Sequence, residues 1–230
     1  MFEPKVFIHI PKNAGMTVRS SDVLRPHIVP CNANAHKNKE YTDGLHAKMK
    51  ELGHHHGNEH ARWRDLNYSY KSLKSFAVIR NPWDRVVSRY FFLKKVIEVE
   101  GKSNDRETVP TFEEFLEERH EWGGVEYMWH RAIRGWSPAT DYVCCESGVL
   151  KCDMLRFEKL NLEIQMYFGV PQMSGARNVT GMNKGSYMDV YDDNTTQIVA
   201  DWYKSDIDLF GFDFDTGATR NHWFANQLRG

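Results

Sequence analysis

The stretch Val6-Phe-Ile-His-Ile-Pro-Lys-Asn-Ala-Gly-Met-Thr17 decides the fold. Its first five residues form a short, almost unbroken apolar run, which is typical of a strand buried on both faces of a parallel sheet. Pro11 and Gly15 interrupt this run, and Met16-Thr-Val-Arg19 has the composition of a first helical turn. The stretch therefore predicts a strand, a tight turn and a helix in succession.

The same alternation continues along the chain. Residues 76–79 predict a second buried strand, after which Asn81 is a good N-cap and Pro82 suits the first position of a helix over 82–96. Residues 152–157 predict a third strand, followed by a helix that ends near residue 167. Strands alternating with helices favour an α/β sandwich around a central parallel sheet. Further helices are expected near residues 46–52, over 111–119 from a capping box, over 125–134, and after Asp192 or Asp193.

Length and composition limit the possible classes of protein. The chain has 230 residues with 41% hydrophobic and 27% charged residues, which indicates one globular domain over 1–230. A net charge of −1 argues against a nucleic-acid-binding protein, and no apolar stretch approaches the roughly 18 residues of a membrane span. Four cysteines without framework spacing and no signal-peptide pattern predict reduced thiols and a cytoplasmic location.

The charge is unevenly distributed along the chain. Residues 1–110 contain 19 basic and 12 acidic side chains, whereas residues 111–230 contain 11 basic and 19 acidic ones. Since clustered positive charge attracts anions, the N-terminal half is the expected place for an anionic ligand.

Two turns in that half carry features of anion sites. The first contains Lys12, which can reach an anion bound by the free N–H groups of the turn. The lysine precedes Gly15, so the complete phosphate-loop motif G-x-x-x-x-G-K-[ST] is absent, and this turn alone is equally consistent with a surface lysine. The second begins with Arg80 at a strand end. Ser88 lies on the helix that follows, about two helical turns from its start. Because the carboxyl ends of parallel strands meet at one edge, both turns are expected there.

These residues carry a resemblance to a known family. Residues 7–17 resemble the 5′-phosphosulfate loop of sulfotransferases that use 3′-phosphoadenosine 5′-phosphosulfate (PAPS), and Arg80-Asn-Pro-Trp-Asp-Arg-Val-Val-Ser-Arg-Tyr90 resembles their 3′-phosphate motif. Residues 155–160 and 191–212 are similar to soluble bacterial and carbohydrate-type members. The resemblance covers roughly residues 5–214. It implies a P-loop-kinase-like three-layer fold and sulfuryl transfer from PAPS to an acceptor hydroxyl, on a carbohydrate.

The resemblance also implies roles for individual residues. Lys12 matches the lysine that contacts the transferring sulfuryl group and its bridging oxygen, and Arg80 and Ser88 match the ligands of the 3′-phosphate. Lys184 is a weaker match to a basic segment that closes over the cofactor. The loop around the 5′-phosphate corresponds to Asn13, Ala14, Gly15, Met16 and Thr17, where Met16 departs from the usual small or hydroxyl residue.

A histidine-rich segment supplies candidates for the general base. Five of the eleven histidines lie within residues 46–60, and histidine is the natural base near neutral pH. The base of the family is a histidine in some branches, about two dozen residues before the arginine of the 3′-phosphate motif, and a glutamate in others. His56 fits that spacing best, His55 nearly as well and His60 less well. Glu59 is the carboxylate alternative.

Several other interpretations remain open at the level of sequence. His56 and His60 could share a helix face and bind zinc, but no partner motif accompanies them, so no metal is expected. A nucleotide kinase is one alternative, and it would need a lysine after the second glycine and a magnesium-binding hydroxyl. A non-catalytic nucleotide- or metal-binding module is another, and it would use the histidines as its site. Four aromatic residues either stack on a sugar or belong to the core: Trp122, Trp129, Trp136 and Tyr142.

Overall fold

A computed structural model describes residues 3–99, 108–173 and 186–227. Its centre is an all-parallel sheet of four strands, β1 (Lys5–Ile8), β2 (Ile28–Pro30), β3 (Ser75–Ile79) and β4 (Asp153–Arg156). The strands lie in the order β2-β1-β3-β4. This confirms the expected α/β class and three predicted strands. The three-residue β2 was not predicted.

Helices surround this sheet. Within the described residues, none is both long and apolar enough to cross a membrane. Their bounds are α1 (Gly15–Arg19), α2 (Lys39–Glu51), α3 (Tyr68–Lys71), α4 (Pro82–Glu98), α5 (Phe112–Trp122), α6 (Ala139–Val143), α7 (Leu160–Phe168), α8 (Asp193–Trp202), α9 (Lys204–Phe210) and α10 (Trp223–Gln227).

Both faces of the sheet are covered. Successive strand residues point to opposite faces, so Val6 and Ile8 enter one hydrophobic core while Phe7 enters another. The first core is built with apolar residues of α4, α5 and α8, and the second with residues of α1 and α7. The sheet is therefore the middle of three layers, which explains why its strands are almost continuously apolar.

The loops that follow β1 and β3 lie side by side at the carboxyl edge of the sheet. The two strands are adjacent and parallel, with Ile8 paired to Ala77. Asn13, in the turn after β1, donates a hydrogen bond from its side-chain amide to the Val78 carbonyl oxygen at 2.8 Å. Sheet topology and this bond thus bring Lys12 and Arg80 together.

One expected helix is wrong. Residues 125–134 do not form an α-helix, because Tyr127 adopts a left-handed backbone with φ of 65° and only the 3₁₀ turn Met128–His130 follows it. The buried His130 side chain bonds elsewhere in the fold, so tertiary contacts override the local helical preference. The helix expected near 46–52 is longer than predicted, since Asn38 caps α2 at its start. The capping box at Thr111 is confirmed.

Asn81 ties the chain's C-terminal part to the carboxyl edge of the sheet. Its side-chain oxygen accepts from the Trp83 N–H at 3.0 Å and thereby caps α4. Its amide nitrogen donates to the carbonyl oxygens of Asp213, Phe214 and Thr216 at 2.8, 3.3 and 2.9 Å. One side chain therefore satisfies both a helix start and a loop.

The substitution Asn81→Ala is expected to lower the free energy of unfolding by about 2–3 kcal/mol, because a helix cap and the donor to the 213–216 loop are lost together. Asn38→Ala is the matched control, since Asn38 also caps a long helix but is exposed. It is expected to cost about 1 kcal/mol. Urea unfolding followed by circular dichroism measures both, and equal losses would contradict this role of Asn81.

Candidate active site

The turn after β1 has a backbone suited to binding an anion. Lys12 and Ala14 both adopt left-handed conformations, with φ of 68° and 58°. Such conformations cost residues other than glycine about 1–2 kcal/mol each, so the surrounding contacts must hold them. Left-handed residues interspersed in a turn direct successive N–H groups toward one side, which forms a concave anion site.

Two arginines hold this turn by its carbonyl groups. Arg80 Nη1 donates to the Lys12 carbonyl oxygen at 2.9 Å, and Arg85 Nε donates to the Pro11 carbonyl oxygen at 3.1 Å. Arg85 is fully buried and also donates to the Ser137 carbonyl oxygen at 3.0 Å. Both carbonyls are therefore fixed by side chains from the end of β3 and from α4, which explains how the turn keeps its strained backbone.

Arg80 itself is oriented by two further contacts. Asp84 accepts from its Nε and Nη2 at 2.6 and 2.7 Å, and the Phe157 ring lies 4.2 Å below the guanidinium carbon. An arginine carries five N–H groups, and the hydrogen bonds within the described part of the chain use three of them. The other two make no hydrogen bond to the described residues.

Ser88 lies on the face of α4 that contacts the turn. Residues three or four positions apart share a helix face, which places Arg85, Ser88 and Phe92 in one row. Arg85 and Phe92 both contact residues of the turn, and the buried Ser88 lies between them. Of the remaining loop residues, Asn13 and Gly15 are buried and Met16 is exposed.

Lys12 is a cation in an unfavourable environment. Its ammonium lies 4.2 Å from the centre of the Phe92 ring. Burial and, to a smaller extent, the nearby cations Arg80, Lys95 and Arg89 together lower the pKa of Lys12 to about 7. An anion bound in the turn would reverse this repulsion.

Among the candidate bases, His60 is the one packed near the turn. Its Nδ1 lies 2.8 Å from the His9 carbonyl oxygen, which can only accept, so Nδ1 carries the proton and Nε2 holds a lone pair. Burial lowers the pKa of His60 to about 4, so the ring is neutral at pH 7. Its ring centre is 4.2 Å from that of His9, and the His9 ring packs directly against Gly15.

His55 and His56 lie differently. Both are exposed, and their Nδ1 atoms accept hydrogen bonds from the backbone N–H groups of Gly57 and Asn58 at 3.1 and 3.3 Å. In a neutral ring the proton is then on Nε2, and the basic nitrogen is already engaged. Glu59 is half-buried, with its carboxylate 3.9 Å from Nε2 of His60. Of these side chains, His60 alone combines burial beside the turn with an unengaged basic nitrogen.

The sequence also matches a known protein family. Residues 5–213 match the model described as the sulfotransferase family, which covers most of the chain. The chain belongs to the sulfotransferase family. No curated protein and no solved structure shows a significant similarity to it.

A buried polar network supports the histidine segment of this sulfotransferase. His130 Nδ1 lies 3.0 Å from the Gly57 carbonyl oxygen, and its Nε2 lies 3.1 Å from the Tyr41 hydroxyl. The same hydroxyl lies 3.1 Å from an Asp65 oxygen and accepts from Trp129 Nε1 at 3.2 Å. This network fixes Gly57, three residues before His60. Sequence reasoning missed it because its members are distant along the chain.

The structure bears on some of the other residues that the sequence singled out. Trp129, Trp136 and Tyr142 are buried, which favours their core interpretation. No group of three or more metal-ligating side chains occurs within the described ranges of the sulfotransferase. Lys184 lies outside those ranges. Arg85 and Phe92 were missed, although their helical spacing from Ser88 could have identified them.

Gly15→Ala tests the contact between the turn and His9. Alanine normally favours a helix over glycine by about 1 kcal/mol, but a Cβ at Gly15 would lie 1.8 Å from the His9 ring. The variant is therefore expected to lower the free energy of unfolding, by about 1–3 kcal/mol. In the double variant with His9→Ala the clash disappears, so thermal unfolding should show a loss smaller than the sum of the single losses. A stabilised Gly15→Ala protein would disprove the contact.

Proposed function

We propose that this sulfotransferase moves a sulfuryl group from PAPS to an acceptor hydroxyl. One observation carries the proposal: Lys12 and Arg80, which match the two phosphate motifs, lie at adjacent strand ends and are joined by the 2.9 Å hydrogen bond from Arg80 Nη1 to the Lys12 carbonyl oxygen. The proposed carbohydrate class of the acceptor is supported by the likeness of residues 155–160 and 191–212 to carbohydrate-type members.

The residues present suit a doubly phosphorylated nucleotide. The concave turn over Asn13, Ala14, Gly15, Met16 and Thr17 would surround the 5′-phosphosulfate, and the remaining N–H groups of Arg80 and the Ser88 hydroxyl would bind the 3′-phosphate. Like charges crowd Lys12. Because a bound polyanion would neutralise that repulsion, these residues gain more from such a donor than from a neutral ligand.

Lys12 would act on the leaving group. PAPS supplies an activated sulfuryl group, and in the transfer a new bond forms between the acceptor oxygen and sulfur while the bond from sulfur to the bridging phosphate oxygen breaks. Negative charge then grows on that oxygen, and a fixed ammonium beside it lowers the barrier. With an anionic donor bound, the pKa of Lys12 rises from about 7, so its charge is retained during transfer.

His60 would take the proton of the acceptor hydroxyl. Its Nδ1 is held protonated by the His9 carbonyl, which leaves Nε2 as the basic atom. The imidazolium formed after transfer would lie beside the Glu59 carboxylate, 3.9 Å away, and be stabilised by it. Positioned proton transfer of this kind contributes about 10²–10⁴-fold to the rate.

The proposed donor site is tested by calorimetric binding of 3′-phosphoadenosine 5′-phosphate (PAP), adenosine 5′-phosphate and ATP. PAP is expected to bind more tightly than adenosine 5′-phosphate, and Arg80→Ala and Ser88→Ala should reduce this preference about tenfold or more, because each removes a ligand of the 3′-phosphate. Arg64→Ala is the control, since Arg64 lies outside the turn region and contacts Asp141. Tighter binding of ATP, or no preference for PAP, would favour a kinase-like or non-catalytic module.

The proposed base is tested with three glutamine variants. His60→Gln replaces the ring with a polar amide that cannot take up a proton, so kcat should fall about 10²–10⁴-fold with little change in PAP affinity. His55→Gln and His56→Gln are matched controls from the same segment and should stay close to wild type. The kcat of each variant is measured as the rate of PAP release from PAPS with desulfated heparin, chondroitin or p-nitrophenol as acceptor. Inactivation by His56→Gln alone would assign the base to His56.

The dependence of kcat/KM for PAPS on pH follows from the charges of the free protein. Lys12 is charged only below its pKa of about 7, so kcat/KM should fall as pH rises through that value. His60 is a free base only above its pKa of about 4, so kcat/KM should rise through that value. In Lys12→Arg, whose guanidinium stays charged, the residual activity should lose its decline near pH 7. An unchanged decline in that variant would exclude Lys12 as its source.

A further inference from the structure

We propose that Phe92 is a positioning residue for sulfuryl transfer, whose ring holds the Lys12 ammonium on the face of α4 that carries Ser88. The inference depends on the PAPS-dependent transfer proposed above. It concerns a side chain that matches neither phosphate motif and that would not itself contact the reacting atoms.

The contact between the two side chains is direct. Lys12 Nζ lies 4.2 Å from the centroid of the half-buried Phe92 ring, well inside the distance of about 6 Å over which a ring face attracts a cation. The other charges that act on Lys12 are those of Arg80, Lys95 and Arg89, and all of them repel it. Within the described residues no carboxylate forms an ion pair with this ammonium. Among the described residues, the Phe92 ring therefore supplies the attractive contact of the Lys12 ammonium.

The backbone of Lys12 is already fixed, so the side chain is the part that still needs support. Arg80 and Arg85 hold the carbonyl groups of Lys12 and Pro11. A lysine side chain retains four rotatable bonds beyond this point, and confining it costs up to about 2 kcal/mol of conformational entropy. If the Phe92 ring confines the side chain before the donor binds, this entropy is not lost on binding, and the ammonium already lies in a fixed position.

The position of the Lys12 ammonium is determined by the spacing of residues along α4. Arg85, Ser88 and Phe92 follow one another at helical spacing along the face that contacts the turn. Four residues correspond to a rise of about 6 Å, so the ring that supports the ammonium lies about one turn beyond Ser88. One rigid helix thus carries both the proposed 3′-phosphate ligand and the support of the lysine that acts at the 5′ end of the donor.

Phe91 provides a matched control. It is the preceding residue of the same helix and is also half-buried, but it packs against the hydrophobic core, with the Tyr90 ring at 5.7 Å and Lys94 Nζ at 5.8 Å. A loss of general packing would affect a substitution at Phe91, which packs against the core, at least as much as one at Phe92. A loss of lysine positioning would affect Phe92 only.

The kinetic test measures PAP release from PAPS with p-nitrophenol or water as acceptor. Phe92→Leu should lower kcat about 10- to 100-fold while KM for PAPS stays within about twofold, because the donor site is intact but the ammonium is misplaced. Phe92→Tyr keeps the ring and should restore most of kcat, and Phe91→Leu should leave kcat nearly unchanged. Equal losses of kcat in Phe91→Leu and Phe92→Leu, or an unaffected Phe92→Leu enzyme, would overturn the role of Phe92.

A second readout does not depend on turnover. The ring current of Phe92 should shift the Cε protons of Lys12 upfield in the NMR spectrum, with the signal assigned by its absence in Lys12→Arg. The shift should vanish in Phe92→Leu and persist in Phe92→Tyr and Phe91→Leu. A normal Lys12 shift in the wild type would overturn the proposal. If the wild type neither binds PAP nor releases it from PAPS, the proposed function is wrong, and the role of Phe92, which depends on it, is wrong as well.

Discussion

The guanidinium of Arg80 lies where two parallel strands end, and it joins the parts of the site. It donates to the Lys12 carbonyl oxygen at 2.9 Å, is held by both oxygens of Asp84 and rests on the Phe157 ring. The three adjacent strands β1, β3 and β4 are thereby linked at their carboxyl ends. A buried arginine needs such fixed partners to offset its lost hydration, and these partners also determine its direction. The left-handed turn, whose Lys12 carbonyl oxygen this guanidinium binds, depends on this arrangement.

The interior around the turn is rich in cations. Arg85 and Arg89 are fully buried. Arg89 donates to the carbonyl oxygens of Ala132 and Ile133, and its guanidinium stacks 4.0 Å from the centre of the Trp136 ring. Carbonyl oxygens and ring faces stabilise a guanidinium without neutralising it. The positive charge of Arg89 therefore remains, and together with burial, which is the larger cause, it lowers the pKa of Lys12. The same field that disfavours a free ammonium favours the binding of an anion.

The sequence predicted the elements that depend on interactions over a few residues, and it failed where contacts between distant parts of the chain decide the structure. The strand–turn–helix units at β1 and β3 follow from short apolar runs, an N-cap and a proline, all of which act over a few residues. The helix expected over 125–134 failed because His130 bonds to Gly57 and Tyr41, residues far away along the chain. The three-residue β2 was missed because so short a segment carries too little pattern, and its pairing with β1 makes it a strand.

The sequence by itself determined the α/β class, the two candidate anion-binding turns and the candidate roles of Lys12, Arg80 and Ser88, since these depend on local patterns and on motifs that resemble those of a family. Only the tertiary structure decided how the histidines differ. Spacing along the chain favoured His56, but the His9 carbonyl sets the tautomer of His60 and packing places His60 near the turn. It also decided that Phe92 lies beside the Lys12 ammonium. Such contacts join residues 51 and 80 positions apart, and they exist only after the sheet has brought its strand ends together.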